Sequence, residues 1–200
     1  MNWLPNRFDL QLPAWVSSLK LVEEQPYNTL EERMKLVLSL ADFNIVAGTG
    51  GPFAAATFTM DSGKLFSIGV NIVQTAQCSL AHAEIMALAL AHQRAGNWDL
   101  SHASVPPLQL VSSAEPCAMC YGAIPWSGVR SLVYGARCAD TERFGFDEGN
   151  KPADWVTSLQ KRGVQVINDV LRDEAIQLFQ HYQQREGHIY NPSRSLGEDL

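Results

Sequence analysis

The sequence predicts an α/β fold, a three-layer α/β/α sandwich built on a mixed five-stranded sheet. Three observations predict it. Segments with helical apolar spacing alternate with short apolar runs of strand length. A turn sequence, Asp61-Ser62-Gly63-Lys64, joins the first two strand-like runs as a hairpin. The last two runs are separated by a helical segment and about thirty residues, the kind of crossover that a parallel pair needs.

The elements follow in order. Residues 1–28 carry Pro5, Pro13 and Pro26 and read as an irregular extension with one short helix around Pro13 to Glu24. A helix from Leu30 to Ala47 comes next, with Met34, Val37, Leu38 and Ala41 at i, i+3, i+4 and i+7. Gly48-Thr49-Gly50-Gly51-Pro52 stops it. Phe53–Met60 and Leu65–Asn71 are the hairpin strands. Leu80–Ala95 is a helix rich in Ala and Leu, closed by Gly96. Leu108–Ser112 is a strand, and Cys117–Trp126 a short helix opening just after Pro116, a residue suited to a first helical turn. Ser131–Tyr134 is a strand, Ala153–Lys161 a helix, Val164–Val170 the last strand and Arg172–Gln184 the last helix. The order is α-β-β-α-β-α-β-α-β-α. After Gly187 a tail begins, and its apolar residues Ile189 and Tyr190 predict that it docks on the domain.

Composition narrows the function classes. The chain has 200 residues, an apolar fraction of 46% and a formal charge of −6. That suits one core-bearing domain. It lacks the basic surplus that phosphate neutralisation requires, which makes nucleic acid an unfavoured partner. No apolar run is long enough to span a bilayer, and the N-terminus shows no apolar core of a secretory signal. A cytoplasmic protein that keeps off membranes is the expectation. The four cysteines are Cys78, Cys117, Cys120 and Cys138. In a reducing compartment a Cys-x-x-Cys pair points to metal or redox chemistry.

Two fragments carry the chemistry: His82-Ala83-Glu84 and Pro116-Cys117-Ala118-Met119-Cys120. Each opens a helix, and the second follows a strand directly. Cysteines at i and i+3 share a helical face, so both sulfurs reach one ion. Their place in a first turn favours thiolates. One imidazole and two thiolates are three protein ligands for zinc, and the open fourth position marks a catalytic site. Glu84, two residues from a ligand, is placed to move protons. Other readings are a structural zinc site closed by Cys78, or a redox pair that leaves His82 and Glu84 without a role.

The pattern His-x-Glu followed by Pro-Cys-x-x-Cys is the signature of zinc deaminases. On these motifs, together with Gly50-Gly51-Pro52-Phe53-Ala54, Asn71, Ser113-Ala114-Glu115 before the cysteines, and Gly145-Phe146-Asp147-Glu148, the chain resembles the cytidine deaminase-like superfamily. Within it, the chain is similar to bacterial-type guanine deaminases. The resemblance implies a deaminase domain over residues 29–187, one Zn²⁺ per chain on His82, Cys117 and Cys120, and hydrolysis of guanine to xanthine and ammonia. Aminotriazines would be side substrates. Glu84 and Glu148 would be catalytic. Phe53, Asn71, Ala83, Trp126 and Tyr190 would contact substrate, with Phe53 on the purine ring and Asn71 on a purine acceptor. Trp126 has a second expected place, a homodimer interface. Tyr190 would belong to a lid formed by the tail 188–200, exchanged between subunits in some relatives. Ala114 stands where many relatives have Cys, and Glu148 where some have Asp. The alternatives are a tRNA adenosine deaminase, a cytosine or cytidine deaminase and a non-enzymatic zinc module.

Overall fold

The computed structural model describes residues 7–19 and 26–191. Within them, α1 (Trp15–Ser18) lies in the N-terminal segment, and α2 (Leu30–Val46) opens the main body. The strands are β1 (Ala54–Thr59), β2 (Leu65–Val70), β3 (Leu108–Ala114), β4 (Ser131–Ala136) and β5 (Gln165–Ile167). The other helices are α3 (Ala83–Ala95), α4 (Ala118–Ser127), α5 (Cys138–Arg143), α6 (Trp155–Lys161) and α7 (Arg172–Gln184). No helix among the described residues is long and apolar enough to cross a membrane.

The sheet order is β2-β1-β3-β4-β5. β1 runs antiparallel to both β2 and β3, while β3, β4 and β5 run parallel. The expected crossover before the last strand is therefore present, and so is the expected mixed sheet. Both faces are covered. Ala54, Ala56, Phe58, Val111 and Val133 meet α2 and α7 on one side. Ala55, Leu108, Leu110, Leu132 and Tyr134 meet α3, α4 and α6 on the other. Side chains alternate across a strand, so a sheet buried on both faces needs the nearly continuous apolar runs seen here.

Local chemistry sets the helix ends. Thr29 caps α2: its Oγ1 accepts from Glu32 N at 3.1 Å, while Glu32 Oε2 accepts from Thr29 N at 3.2 Å. Gly96 and Gly128 close α3 and α4 in the left-handed conformation.

The structure departs from the expected elements in three places. The helix expected from Leu80 starts at Ala83, because His82 is extended and serves as its N-cap. The last strand covers only Gln165–Ile167. Asp169 and Leu171 take positive φ of 63° and 50° and turn the chain into α7. α5 lies where no helix was expected, its start held by Asp140 Oδ2 accepting from Arg137 N at 2.9 Å. Of the helix expected between Pro13 and Glu24, α1 is the described part, and residues 20–24 lie outside the described residues. Residues 1–6 and 192–200, the ends of the expected extension and lid, also lie outside them.

One consequence of this topology positions the site. β3 and β4 end, β2 ends and the antiparallel β1 begins at the same edge of the sheet. Phe53, Asn71, the Glu115–Cys117 segment and Cys138 thus emerge together. In open α/β sheets this carboxyl edge is where ligands bind.

Candidate active site

His82 enters the site as the extended residue before α3, and Cys117 as the extended residue before α4. Cys120 follows within the first turn of α4. Cys117 Sγ lies 3.5 Å and Cys120 Sγ 3.7 Å from His82 Nδ1. All three donor atoms fall within 4.8 Å of one another. A tetrahedral zinc with bonds of about 2.3 Å to sulfur and about 2.0 Å to nitrogen sets sulfur and nitrogen about 3.5 Å apart. The donor set therefore fits zinc in both chemistry and spacing. Cys78 is a free, partly exposed thiol outside this group. The hydrogen bond from Cys120, with His82 beside it, pulls the Cys117 thiol down to about 4, so a thiolate is preformed.

Glu84 is 7% exposed, and burial raises its pKa, assisted by the neighbouring Cys117. A carboxyl raised in this way is a stronger base than a solvated one, which suits a group that takes up a proton and passes it on. Glu148 is likewise 7% exposed, so it is not a solvated loop charge. Burial, then Cys117 and Glu84, push it up to about 8. Its backbone carbonyl accepts from Ala118 N at 2.9 Å, which fixes its loop to the start of α4.

Glu84 and Glu148 line one cavity of about 300 Å³ with His82, Cys117, Phe53 and Asn71. Asn71 is 1% exposed. Its Nδ2 donates to Tyr190 Oη at 2.8 Å, and its Oδ1 accepts from Val73 N at 3.3 Å. Tyr190 therefore docks on the site of its own chain. Its ring fits over Gly51, where a Cβ would lie 2.7 Å from Tyr190 Cε1. Asn191 ties the tail down further, accepting from Asp147 N at 3.0 Å and donating to Gly145 O at 2.8 Å.

The cytidine and deoxycytidylate deaminase zinc-binding region matches residues 27–136, which span the whole zinc-ligand set. The chain belongs to this deaminase family. The guanine deaminase of Bacillus subtilis is 34% identical over 130 residues, covering 62% of this chain and 79% of that protein. A structure of the guanine deaminase from Nitrosomonas europaea superposes with a TM-score of 0.84 at 44% identity, over 90% of this chain and 98% of the other. A structure of the protein NE0047 in complex with 2,6-diaminopurine gives 0.84 at 46% identity, over 92% and 96%.

Two expected contacts of this deaminase fall outside the cavity. Ala83 is fully buried between α3 and the sheet. Trp126 is 83% exposed, near the far end of α4. Nine residues of rise carry it about 13 Å from the helix start, too far to line the cavity. The structure also brings in residues to which the motifs assigned no role. Asn44, fully buried in α2, donates to Gly51 O at 2.9 Å and Asn71 O at 2.8 Å, and so clamps two walls of the site. Glu115 and Met119 line the cavity from within the cysteine segment. Lys151, buried behind it, pairs with Glu115 at 2.5 Å. Glu115 could have been suspected from its place beside Pro116. Asn44 and Lys151 carry no sequence signal, because only the fold brings them near.

Proposed function

We propose that this deaminase hydrolyses guanine to xanthine and ammonia. The observation that carries the reading is the second buried carboxyl: Glu148 shares the cavity with Glu84. Guanine presents N1–H and an amino group as adjacent donors, whereas adenine and cytosine present an acceptor beside theirs. A carboxylate accepts only, and can take two donors. The guanine deaminases among the relatives support the same substrate.

His82, Cys117 and Cys120 would hold zinc, which would supply Lewis-acid activation of a water. Glu84 takes the water's proton and passes it to the ring nitrogen beside C2. Glu148 accepts N1–H and helps load a proton onto the departing amine. Its raised pKa makes this carboxyl a stronger base, suited to take the N1 proton and return it to the departing amine. The C2–O bond forms, the C2–N bond breaks, and the nitrogen leaves as ammonia. Asn71 keeps one amide hydrogen for a purine acceptor while Tyr190 takes the other. Phe53, wedged against Phe146 and Phe179 with ring centroids at 5.0 and 5.6 Å, is a rigid wall for the purine plane.

Aminotriazines, with an amino group between two ring nitrogens, belong to the same reading as side substrates. The proposal includes a homodimer, supported by the exposed Trp126 on α4. A monomer by light scattering across a wide concentration range contradicts that part. A cytoplasmic place belongs to the same reading, since a reducing compartment keeps a Cys-x-x-Cys pair available for metal.

The test is ammonia release by zinc-loaded protein from guanine, an aminotriazine, cytosine, and adenosine in a tRNA anticodon arm. Guanine is expected to be turned over, and Glu148→Gln to keep zinc and lose most of that turnover. Deamination of cytosine or tRNA without guanine overturns the reading.

A further inference from the structure

Behind the cavity wall lies a cluster that the mechanism above does not use. Lys151 has a side chain only 8% exposed, yet it is a cation. Its ammonium has three N–H bonds, and three acceptors meet them. Glu115 Oε1 lies at 2.5 Å, Pro116 O at 2.6 Å and Cys138 Sγ at 3.0 Å. The Trp155 ring covers the ammonium at 4.5 Å. Glu115 uses its other oxygen to accept from Cys138 N at 3.2 Å. Cys138 in turn donates from Sγ to Glu148 Oε2 at 3.8 Å.

We propose that Cys138 and Lys151 are positioning residues for Glu148, acting through the relay Lys151 Nζ to Cys138 Sγ to Glu148 Oε2. The proposal rests on the reading of Glu148 as the acid that meets the substrate. With every N–H committed, the ammonium cannot turn away from Cys138. The sulfur accepts from Lys151, which leaves its S–H to point at Glu148. Burial and the Glu148 charge keep Cys138 a thiol rather than a thiolate, so it stays a donor. Pro116 immediately precedes the ligand Cys117, and Lys151 lies three residues after Glu148. One buried cation therefore ties the Glu148 loop to the segment that presents Cys117, and fixes the acid relative to the metal site. The relay acts on a carboxyl that also faces Cys117, Glu84 and His82, so the Lys151 charge is one influence among several.

The test uses the zinc-loaded full chain and the variants Cys138→Ala, Cys138→Ser and Lys151→Met. The ¹³C resonance of the Glu148 side-chain carboxyl, assigned with Glu148→Gln, reports on the acid without any turnover. Cys138→Ala is expected to move that resonance and to lower kcat for guanine about tenfold, the worth of one hydrogen bond to an ionised group. KM and zinc content stay near wild type. Cys138→Ser recovers most of the loss, because a hydroxyl can accept from Lys151 and donate to Glu148. Lys151→Met shifts the Glu148 titration to higher pH, since a nearby cation favours the carboxylate. An unmoved Glu148 resonance in Cys138→Ala overturns the proposal, and so does a Ser variant that behaves like Ala. Wild-type protein that releases no ammonia from guanine removes the substrate reading alone, and the carboxyl resonance still decides the relay.

Discussion

Glu84→Gln keeps the shape of the side chain and most of its hydrogen bonding but removes its capacity to carry a proton. The variant is expected to bind zinc normally and to lose turnover by at least ~10²-fold, as for a general acid–base group. Near-normal kcat rules Glu84 out as the proton carrier. Cys117→Ala removes one of three ligands and is expected to lose the metal and lower the melting temperature, because bound zinc adds folding free energy. Full zinc occupancy by elemental analysis contradicts the ligand assignment. At this scale the sequence was informative where chemistry lies within a few residues. His82 with Glu84, and Cys117 with Cys120, are pairs that one helix start brings together. It was silent on Lys151 and Cys138, whose partners lie 36 and 23 residues away at Glu115 and meet it only across the sheet edge. Ala83 lies between His82 and Glu84 in sequence, but its side chain points the other way, into the core.

Elements hold these side chains in place through close backbone approach. At Gly69 in β2, a Cβ would lie 2.1 Å from Ala83 O and 2.4 Å from Ala87 N. Gly69→Ala must push α3, and Glu84 with it, off the sheet. It is expected to cost about 1–3 kcal/mol, the range for overpacking, and to reduce kcat. An unchanged melting temperature contradicts this packing. α5 and α7 are joined by Asp140, whose carboxylate accepts from Arg172 Nε at 2.7 Å and Nη2 at 2.9 Å. The Arg172 hydrogen bond, despite burial, lowers the Asp140 pKa to about 2. A carboxyl depressed by folding stabilises the native state above its unfolded pKa of about 4. That contribution, on the order of 2 kcal/mol, is lost as pH falls through 4 towards 2. Asp140→Asn is therefore expected to lower stability at neutral pH and to flatten the pH dependence between 4 and 2 in denaturant titrations. An unchanged slope contradicts it. α5 itself was illegible because Cys138–Arg143 is short and mostly polar, with no apolar period to reveal a helix. The start of α3 was misplaced because Leu80 and Ala81 continue the apolar composition through a turn.

At the scale of the whole molecule, alternation and crossover length were enough to predict the sandwich, since a sheet covered on both faces leaves a strong apolar signal in every central strand. The strand order β2-β1-β3-β4-β5 was not stated in advance, because local pattern does not say which strands become neighbours. That order makes the site, since it gathers β1, β2, β3 and β4 at one edge. In the reaction proposed for the whole molecule, water replaces the amino group of guanine, with Glu84 and Glu148 as proton carriers. The most direct measurement is mass spectrometry of the purine formed by zinc-loaded protein from guanine in ¹⁸O-labelled water, alongside ammonia. The expected products are xanthine carrying one labelled oxygen and one ammonia per xanthine; intact guanine, under conditions where the same protein converts cytosine to uracil, contradicts the proposed reaction.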